Sequence, residues 1–325
     1  MKRKKPQAGG VETKTRERIL IFDLFRILCV AIIVYDHVRF FLIPGFNQFF
    51  FADGYGPFNI YTNGLQGYAV YGMILISGAV LEYNYQGLEK LHGYLKFLFK
   101  RFIRLYPAFW LSLIFSLIAY PLLFQVVKPV DILLEFTGFF VVLGQGPGYI
   151  NPMGWFIAAI FSLYILFPWF SRIVRKYHIY AMIALCIISW GLRFLAFNFV
   201  PVESFWRWFP LCNAFEFCLG IYLIQQAWYP KTENTSPLVR ELSDLSFFVF
   251  LFHVSAVKIF RIYFESTLVP LDTRLALGNA LIGSIFFYFQ MLLAILVVSW
   301  IAMKIDTWFR TWLLQRDAVR NFLNA

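Results

Sequence analysis

Apolar residues fall in blocks, each close to the roughly 20 residues needed to cross about 30 Å of hydrocarbon. The blocks run near 19–43, 65–86, 102–124, 153–171, 178–199, 208–228, 242–264 and 276–303. They predict an all-α, polytopic integral membrane helix bundle, with eight spans preferred within a range of about eight to ten transmembrane helices. A ninth apolar piece, 130–144, holds Asp131 and Glu135 and runs into the glycine-rich GQGPGYINP. It is too short to span and reads as interfacial or re-entrant. Between the blocks, QGLEKLHGYLKFLFK sets Leu88, Leu91, Leu95, Leu98 and Phe99 on one helical face opposite Lys, which predicts a short in-plane helix. Residues 44–64 contain no Lys or Arg and many Gly, Asn and aromatic residues. They suit an outward loop folded over a substrate entrance and, equally, an aromatic belt at the interface.

Composition removes the soluble alternatives. Hydrophobic residues make up 60% of the 325 and charged residues 14%, well below the quarter or so usual in soluble domains. The formal net charge of +11 could point to nucleic acid, but the Lys and Arg sit between apolar blocks, so no nucleic-acid partner is expected and the charge reads as topology. Eight spans place the N-terminal tail, the Lys90 to Arg104 segment, the Arg172/Arg175/Lys176 loop, the Lys231/Arg240 loop and the C-terminal tail on one side. Counting the ninth piece would reverse that bias, so both termini are expected to be cytoplasmic in a multi-pass cell (plasma) membrane protein. The first block is longer than a signal-peptide core and lacks a small-residue cleavage site, which predicts a retained span. The expected organisation is a basic, disordered cytoplasmic tail at 1–18, one transmembrane domain at 19–303 and a cytoplasmic tail at 304–325. Cys29, Cys186, Cys212 and Cys218 lie in apolar blocks without pairing or ligand spacing, so neither a disulfide framework nor a metal site is expected.

Ionisable groups inside spans are costly and are candidates for function by default. In FDLFRILCVAIIVYDHVRFF, Arg26 and His37 are 11 residues apart, within about 20° of three full turns, so they share a face about 16 Å apart along the axis. An imidazole titrating near neutrality can take a proton from an attacking hydroxyl, and Arg26 can hold an anionic group. Two plainer readings stand beside these: Arg26 snorkelling or pairing with Asp23 at i,i+3, and His37 as an interfacial residue. For either residue alone the plainer reading is favoured. Asp36 points about 100° from His37 and is a poor partner for it. In KRFIRLYPAFW, Arg101 and Arg104 lie three apart before Pro107, a spacing that can grip phosphate and that positive-inside anchoring explains about as well. His253, in LSDLSFFVFLFHV, reads first as hydrogen-bonded packing. Ser77-Gly78 and Gly220 read first as small-residue helix contacts.

Taken in order, these pieces resemble the acyltransferase 3 family of membrane-bound O-acyltransferases. The chain carries an Arg, ten residues and a His in its first span (Arg26, His37), then Ser77-Gly78. An RxxRxYP element follows through Arg101, Arg104, Tyr106 and Pro107, and then GWFIAAIFSLYILFP through Trp155, Phe156, Tyr164 and Pro168. Ser246 to His253 is similar to the family's late SYSIYLIH element, with Phe in place of Tyr. The likeness covers residues 16–264. It departs where many members carry a Glu pair, because Ala159, Ile160 and Phe161 stand here, and the chain is shorter than the usual ten-span member. The resemblance implies transfer of an acyl group, usually acetyl from acetyl-CoA as a donor substrate with no tightly bound cofactor, to a hydroxyl of an extracytoplasmic or lipid-linked saccharide, among membrane lipids. His37 would be catalytic, with general base preferred over acyl carrier. Arg26 would support it, Arg101 and Arg104 would bind donor phosphates, and Ser77, Trp155 and His253 would assist. A transporter or exporter of glycan intermediates is the alternative, disfavoured by the lack of an internal repeat, and a non-catalytic scaffold is weaker still.

Overall fold

A computed structural model describes residues 18–39, 65–85, 88, 91–121, 127–143, 148–199, 209–226, 235–260 and 280–324. The N-terminal tail as far as residue 17 and the 44–64 loop lie outside the described residues. All regular structure among those described is helical: α1 (Leu20–Arg39), α2 (Leu65–Asn84), α3 (Leu91–Ala119), α4 (Pro129–Thr137), α5 (Gly154–Tyr177), α6 (Ile179–Phe199), a short 3-10 turn (Pro210–Asn213) leading into α7 (Ala214–Gln225), α8 (Pro237–Phe260), α9 (Ala280–Leu314) and α10 (Asp317–Asn324).

Among the described residues, six helical stretches are long and apolar enough to cross a membrane: Leu65–Asn84, Leu91–Ala119, Gly154–Tyr177, Ile179–Ala196, Pro237–Ile259 and Tyr288–Leu314. The protein is a membrane-embedded helical bundle. Each of the six meets a predicted block. The other two predicted blocks are helical but differ in character: α1 has the length and carries Asp23, Arg26, Asp36 and Arg39, whereas α7 has only 12 residues. Two boundaries also move. The in-plane helix predicted over 86–100 is not a separate element, because α3 runs without a break from Leu91 to Ala119. Leu and Phe at helical spacing continue across Arg101 and Arg104, so no local signal ends the helix there. The last helix continues past residue 303 to Leu314. The ninth piece forms α4, nine residues long and therefore about 14 Å, too short to span. Pro129 opens it and Gly138, at φ 72, closes it by donating its N–H to the Glu135 carbonyl, the left-handed closure for which glycine carries no Cβ penalty.

The main core is an aliphatic and aromatic cluster to which α1, α2, α3, α5, α6, α7, α8 and α9 contribute, and a smaller cluster joins Ile19, Phe22, Ile76, Ala79 and Ile224. Without a hydrophobic drive between helices in lipid, close packing and polar ties must hold such a bundle. Packing is tightest between α2 and α7: a Cβ on Gly78 would overlap the Phe217 carbonyl, and one on Gly220 would overlap the Leu75 carbonyl and crowd the Ala79 amide. The small-residue reading of both glycines therefore holds.

Polar ties join the rest. Glu82, 1% exposed, accepts from Ser171 Oγ at 2.6 Å, Arg175 Nη2 at 2.8 Å and Gln225 Nε2 at 3.0 Å, linking α2, α5 and α7. Arg193 is fully buried, pairs with Glu216 at 2.8 Å and lies against the Tyr71 and Trp190 rings, fastening α6 to α7 and α2. Glu135 accepts the backbone amides of Tyr149, Ile150 and Asn151 at 2.8–2.9 Å. Asn151 in turn donates to Ser112 Oγ and the Leu251 carbonyl, which fixes the start of α5 against α3 and α8. Glu82, Arg193 and Glu216 all fall inside predicted spans. Asking for the partner of every ionisable residue there would have found them.

Candidate functional site

Two features stand out, one at each end of α1. At its N-terminal end a cavity of about 430 Å³ opens between α1, α2, α3, α5 and α8, within the size range of small-molecule sites. Five cations line it, Arg18, Arg26, Lys100, Arg101 and Arg104, against one carboxylate, Asp23. This is the basic end of the bundle. Met73, Phe156, Ile160 and Phe247 supply apolar wall, and Ser77 and Tyr164 are also in the lining.

Four of these cations, Arg18, Arg26, Arg101 and Arg104, are held by neighbours. Arg26 Nη1 donates to Ser243 Oγ at 3.0 Å, and Ser243 Oγ donates to Asp23 Oδ1 at 2.6 Å. The Asp23 contact expected at i,i+3 is present too, at 3.4 Å. One residue along α8, Asp244 takes a forked pair of bonds from Arg18 at 2.7 and 2.8 Å and one from Arg104 at 2.9 Å. Arg101 Nη2 donates to the Tyr85 hydroxyl at 2.6 Å and its guanidinium lies 4.9 Å from that ring's centroid. Guanidinium groups oriented in this way present their remaining N–H donors in a fixed fork, the geometry that suits phosphate oxygens.

At the far end of α1 the two histidines meet. The His37 and His253 ring centroids are 4.9 Å apart with the rings inclined at 69°. His37 Nδ1 lies 2.9 Å from the Ile33 carbonyl, and His253 Nδ1 lies 2.8 Å from the Phe250 carbonyl and 3.2 Å from that of Val249. A ring nitrogen facing a carbonyl must carry the proton, so both rings are fixed with Nε2 as the acceptor. His253 is fully buried, and among the described residues its Nε2 has no hydrogen-bond partner.

Arg26, Ser77, Arg101 and Arg104 thus share the cavity, and His37 and His253 share a contact. Neither histidine lines the cavity. Between them stand Phe156, on the cavity wall, and Phe250, whose ring is 4.8 Å from Phe156 and 6.2 Å from His253. Trp155 joins neither group: it is partly buried beside Phe156. Its place at the start of α5 turns it one step away from the wall that Phe156 faces. Ser77 Oγ donates to its own helix at the Met73 carbonyl, 2.9 Å. Sequence reasoning missed Arg18, Lys100, Ser243 and Asp244. Positive-inside topology already accounts for Arg18 and Lys100, and the LSDLS segment precedes a histidine that is the more conspicuous residue. Its adjacent serine and aspartate, at the foot of an apolar helix, were the available signal.

The chain is thus a polytopic helical bundle with a cation-lined cavity at one end of α1 and a pair of histidines toward the other. The family model for the acyltransferase domain matches residues 19–239, about two thirds of the chain, and the chain belongs to this acyltransferase 3 family. It is a membrane acyltransferase. Comparison with curated proteins and with solved structures gives no match.

Proposed function

We propose that the protein is an O-acyltransferase of the cell membrane that moves an acyl group, acetyl by preference, from acyl-CoA to a hydroxyl of an extracytoplasmic or lipid-linked saccharide. The observation that carries this reading is the convergence of Arg18, Arg26, Lys100, Arg101 and Arg104 on one cavity. Coenzyme A thioesters are multiply anionic and are made in the cytoplasm, and the positive-inside rule favours that side for this end of the bundle and for both termini. The cavity lies about 16 Å along α1 from His37, so the groups that hold donor phosphates are not the groups that touch the reacting carbonyl. That separation suits a donor whose phosphates and thioester lie at opposite ends of a long arm. In the transfer the acceptor oxygen bonds to the acyl carbon, the carbon–sulfur bond breaks, and the hydroxyl proton passes through His37 to the departing thiolate.

Membranes containing the protein, given labelled acetyl-CoA, are expected to pass label to a glycan fraction, and His37→Ala is expected to abolish transfer at unchanged protein level. Undiminished labelling by that variant would remove His37 from the reaction. Label transfer that survives loss of the cavity arginines would remove the cavity from donor binding.

A further inference from the structure

We propose that Asp244 is a positioning residue for donor recognition: it holds Arg18 beside Arg104 as a two-guanidinium clamp for a phosphate monoester, the terminal phosphate that distinguishes coenzyme A from its dephospho form. The inference rests on the acyl-transfer reading and adds to it a residue outside the cavity and a division of labour among the cations that line it. Three observations carry it. Arg18 Nη2 and Arg104 Nη2 both donate to one oxygen of Asp244, Oδ1, at 2.7 and 2.9 Å, although Arg18 precedes α1 and Arg104 sits in α3. Both arginines line the cavity and Asp244 does not, so the two guanidiniums stand in front and the carboxylate behind them. The three side chains are 31% to 40% exposed, whereas Asp23, which braces Arg26 through Ser243, is 6% exposed, so the group sits at the outer end of the cavity and Arg26 deeper.

As a fastening between helices this group is a poor choice, because a part-exposed ion pair contributes little to stability. Two guanidiniums bonded to one oxygen also repel each other, and the shared carboxylate is what offsets the repulsion. The arrangement does supply two fixed positive charges side by side on a cavity wall. Arg18 is held further by donating Nη1 to the Arg240 carbonyl. Arg104 gives Nη2 to Asp244, one nitrogen of a group with five N–H donors. A phosphate monoester carries nearly two negative charges at neutral pH and three acceptor oxygens, which suits a pair of guanidiniums. Each phosphate of a diphosphate linkage carries one charge, which the single cations Arg26, Lys100 and Arg101 match. Coenzyme A bears its monoester on the adenosine, at the end furthest from the thioester. A clamp at the outer end of the cavity and a reacting histidine beyond its inner end therefore fit one extended molecule.

The test measures binding of coenzyme A and of dephospho-coenzyme A to the purified full-length protein in detergent, for wild type, Arg18→Ala, Asp244→Ala and Asp244→Asn. Alongside, transfer from labelled acetyl-CoA is followed in wild-type membranes. Wild type is expected to bind coenzyme A about tenfold tighter than the dephospho form, the scale of one charge-assisted contact. Asp244→Ala is expected to remove most of that preference by weakening coenzyme A alone. The sign is decisive, because deleting a negative charge beside an anion site would by charge alone tighten binding. Arg18→Ala is expected to lose the same preference, and Asp244→Asn, whose Oδ1 still accepts, to keep part of it. Coenzyme A bound as tightly or more tightly by Asp244→Ala, equal weakening of both ligands, full preference in Arg18→Ala, or a wild type that does not favour coenzyme A would each overturn the proposal. Should Asp244→Ala not accumulate, Asp244→Asn decides: a preference below that of wild type supports the clamp and an undiminished one refutes it. Phosphate-dependent binding without transfer by wild-type membranes would sink the acyl-transfer reading alone, and transfer with equal binding of the two ligands would sink the clamp alone.

Discussion

Gly78→Ala and Gly220→Ala test whether the α2–α7 contact organises the cavity. Each adds one methyl group, and in each case the atoms in its way belong to backbone: the Phe217 carbonyl for Gly78, the Leu75 carbonyl and Ala79 amide for Gly220. A crowded side chain can change rotamer, but a helix carbonyl moves only if the helix moves. Overpacking costs typically about 1–3 kcal/mol, and the rigidity of both obstacles puts these sites in the upper part of that range. The gain in helix propensity from Gly to Ala returns at most about 1 kcal/mol, leaving a net loss of roughly 1–2 kcal/mol each. Both methyl groups press on the same interface. Once α2 and α7 have separated for the first, the second costs less, so the double variant should lose less than the sum.

Controls are available in the same chain. A Cβ on Gly93 or Gly191 meets nothing within 4 Å, so Ala there keeps the propensity gain without the clash. Thermal unfolding of the purified protein in detergent should show lowered midpoints for Gly78→Ala and Gly220→Ala and unchanged or raised ones for Gly93→Ala and Gly191→Ala. The first pair should also raise donor KM, because Ser77 and Met73 on α2 line the cavity. Wild-type midpoints for the first pair, or equal destabilisation by all four, would refute the close-approach argument.

The remaining expectations concern buried polar groups. Burial pushes the Glu135 carboxyl up to about 6 from 4.5 against the downward pull of three backbone amides and Lys258. With the folded value above the unfolded one, its contribution is fully present below pH 4.5 and is lost as pH rises through about 6. Glu135→Gln should flatten stability over that interval in pH-dependent melting, and above it should destabilise by about 1–3 kcal/mol, because an amide NH₂ would face backbone N–H donors. Glu82→Ala leaves Ser171 and Gln225 short of an acceptor while half-exposed Arg175 can turn to water. A loss of roughly 2–3 kcal/mol is expected in the same assay, below the figure for stranding a fully buried charge. Arg104→Ala should raise donor KM about tenfold, the equivalent of 1.4 kcal/mol, with a smaller change in kcat. An unaltered KM would take Arg104 out of the donor site.

The helical bundle was legible because lipid imposes a length and a composition on each span, and both are local properties of sequence. Boundaries were less so. Residues 86–100 read as a separate in-plane helix because Leu and Phe take one face and Lys the other, yet that pattern also fits the first turns of a longer helix entering the membrane. The cavity was half legible: Arg26, Arg101 and Arg104 announce themselves by motif, whereas Arg18 and Asp244 acquire meaning only from each other, 226 positions apart in sequence. A salt bridge of that separation has no local signature.

The pairing of His37 with His253 lies at the limit of what sequence carries. Helical phase put Arg26 and His37 on one face and so suggested that they work together, yet the structure gives each a nearer associate on α8: Ser243 for Arg26 at 3.0 Å, His253 for His37 at 4.9 Å between rings. Ser243 and His253 are ten residues apart, Arg26 and His37 eleven, so two helices packed side by side carry matched sets of polar residues at similar rise. Either set alone reads as an accident of spacing, and each is explained by the other. α1, with Asp23, Arg26, Asp36, His37 and Arg39 in 20 residues, is not among the six stretches long and apolar enough to cross a membrane. Its stability in the bundle must come from α8 and α2, against which it packs. A helix that depends on its neighbours for its polar partners is one whose functional residues cannot be assigned from its own sequence.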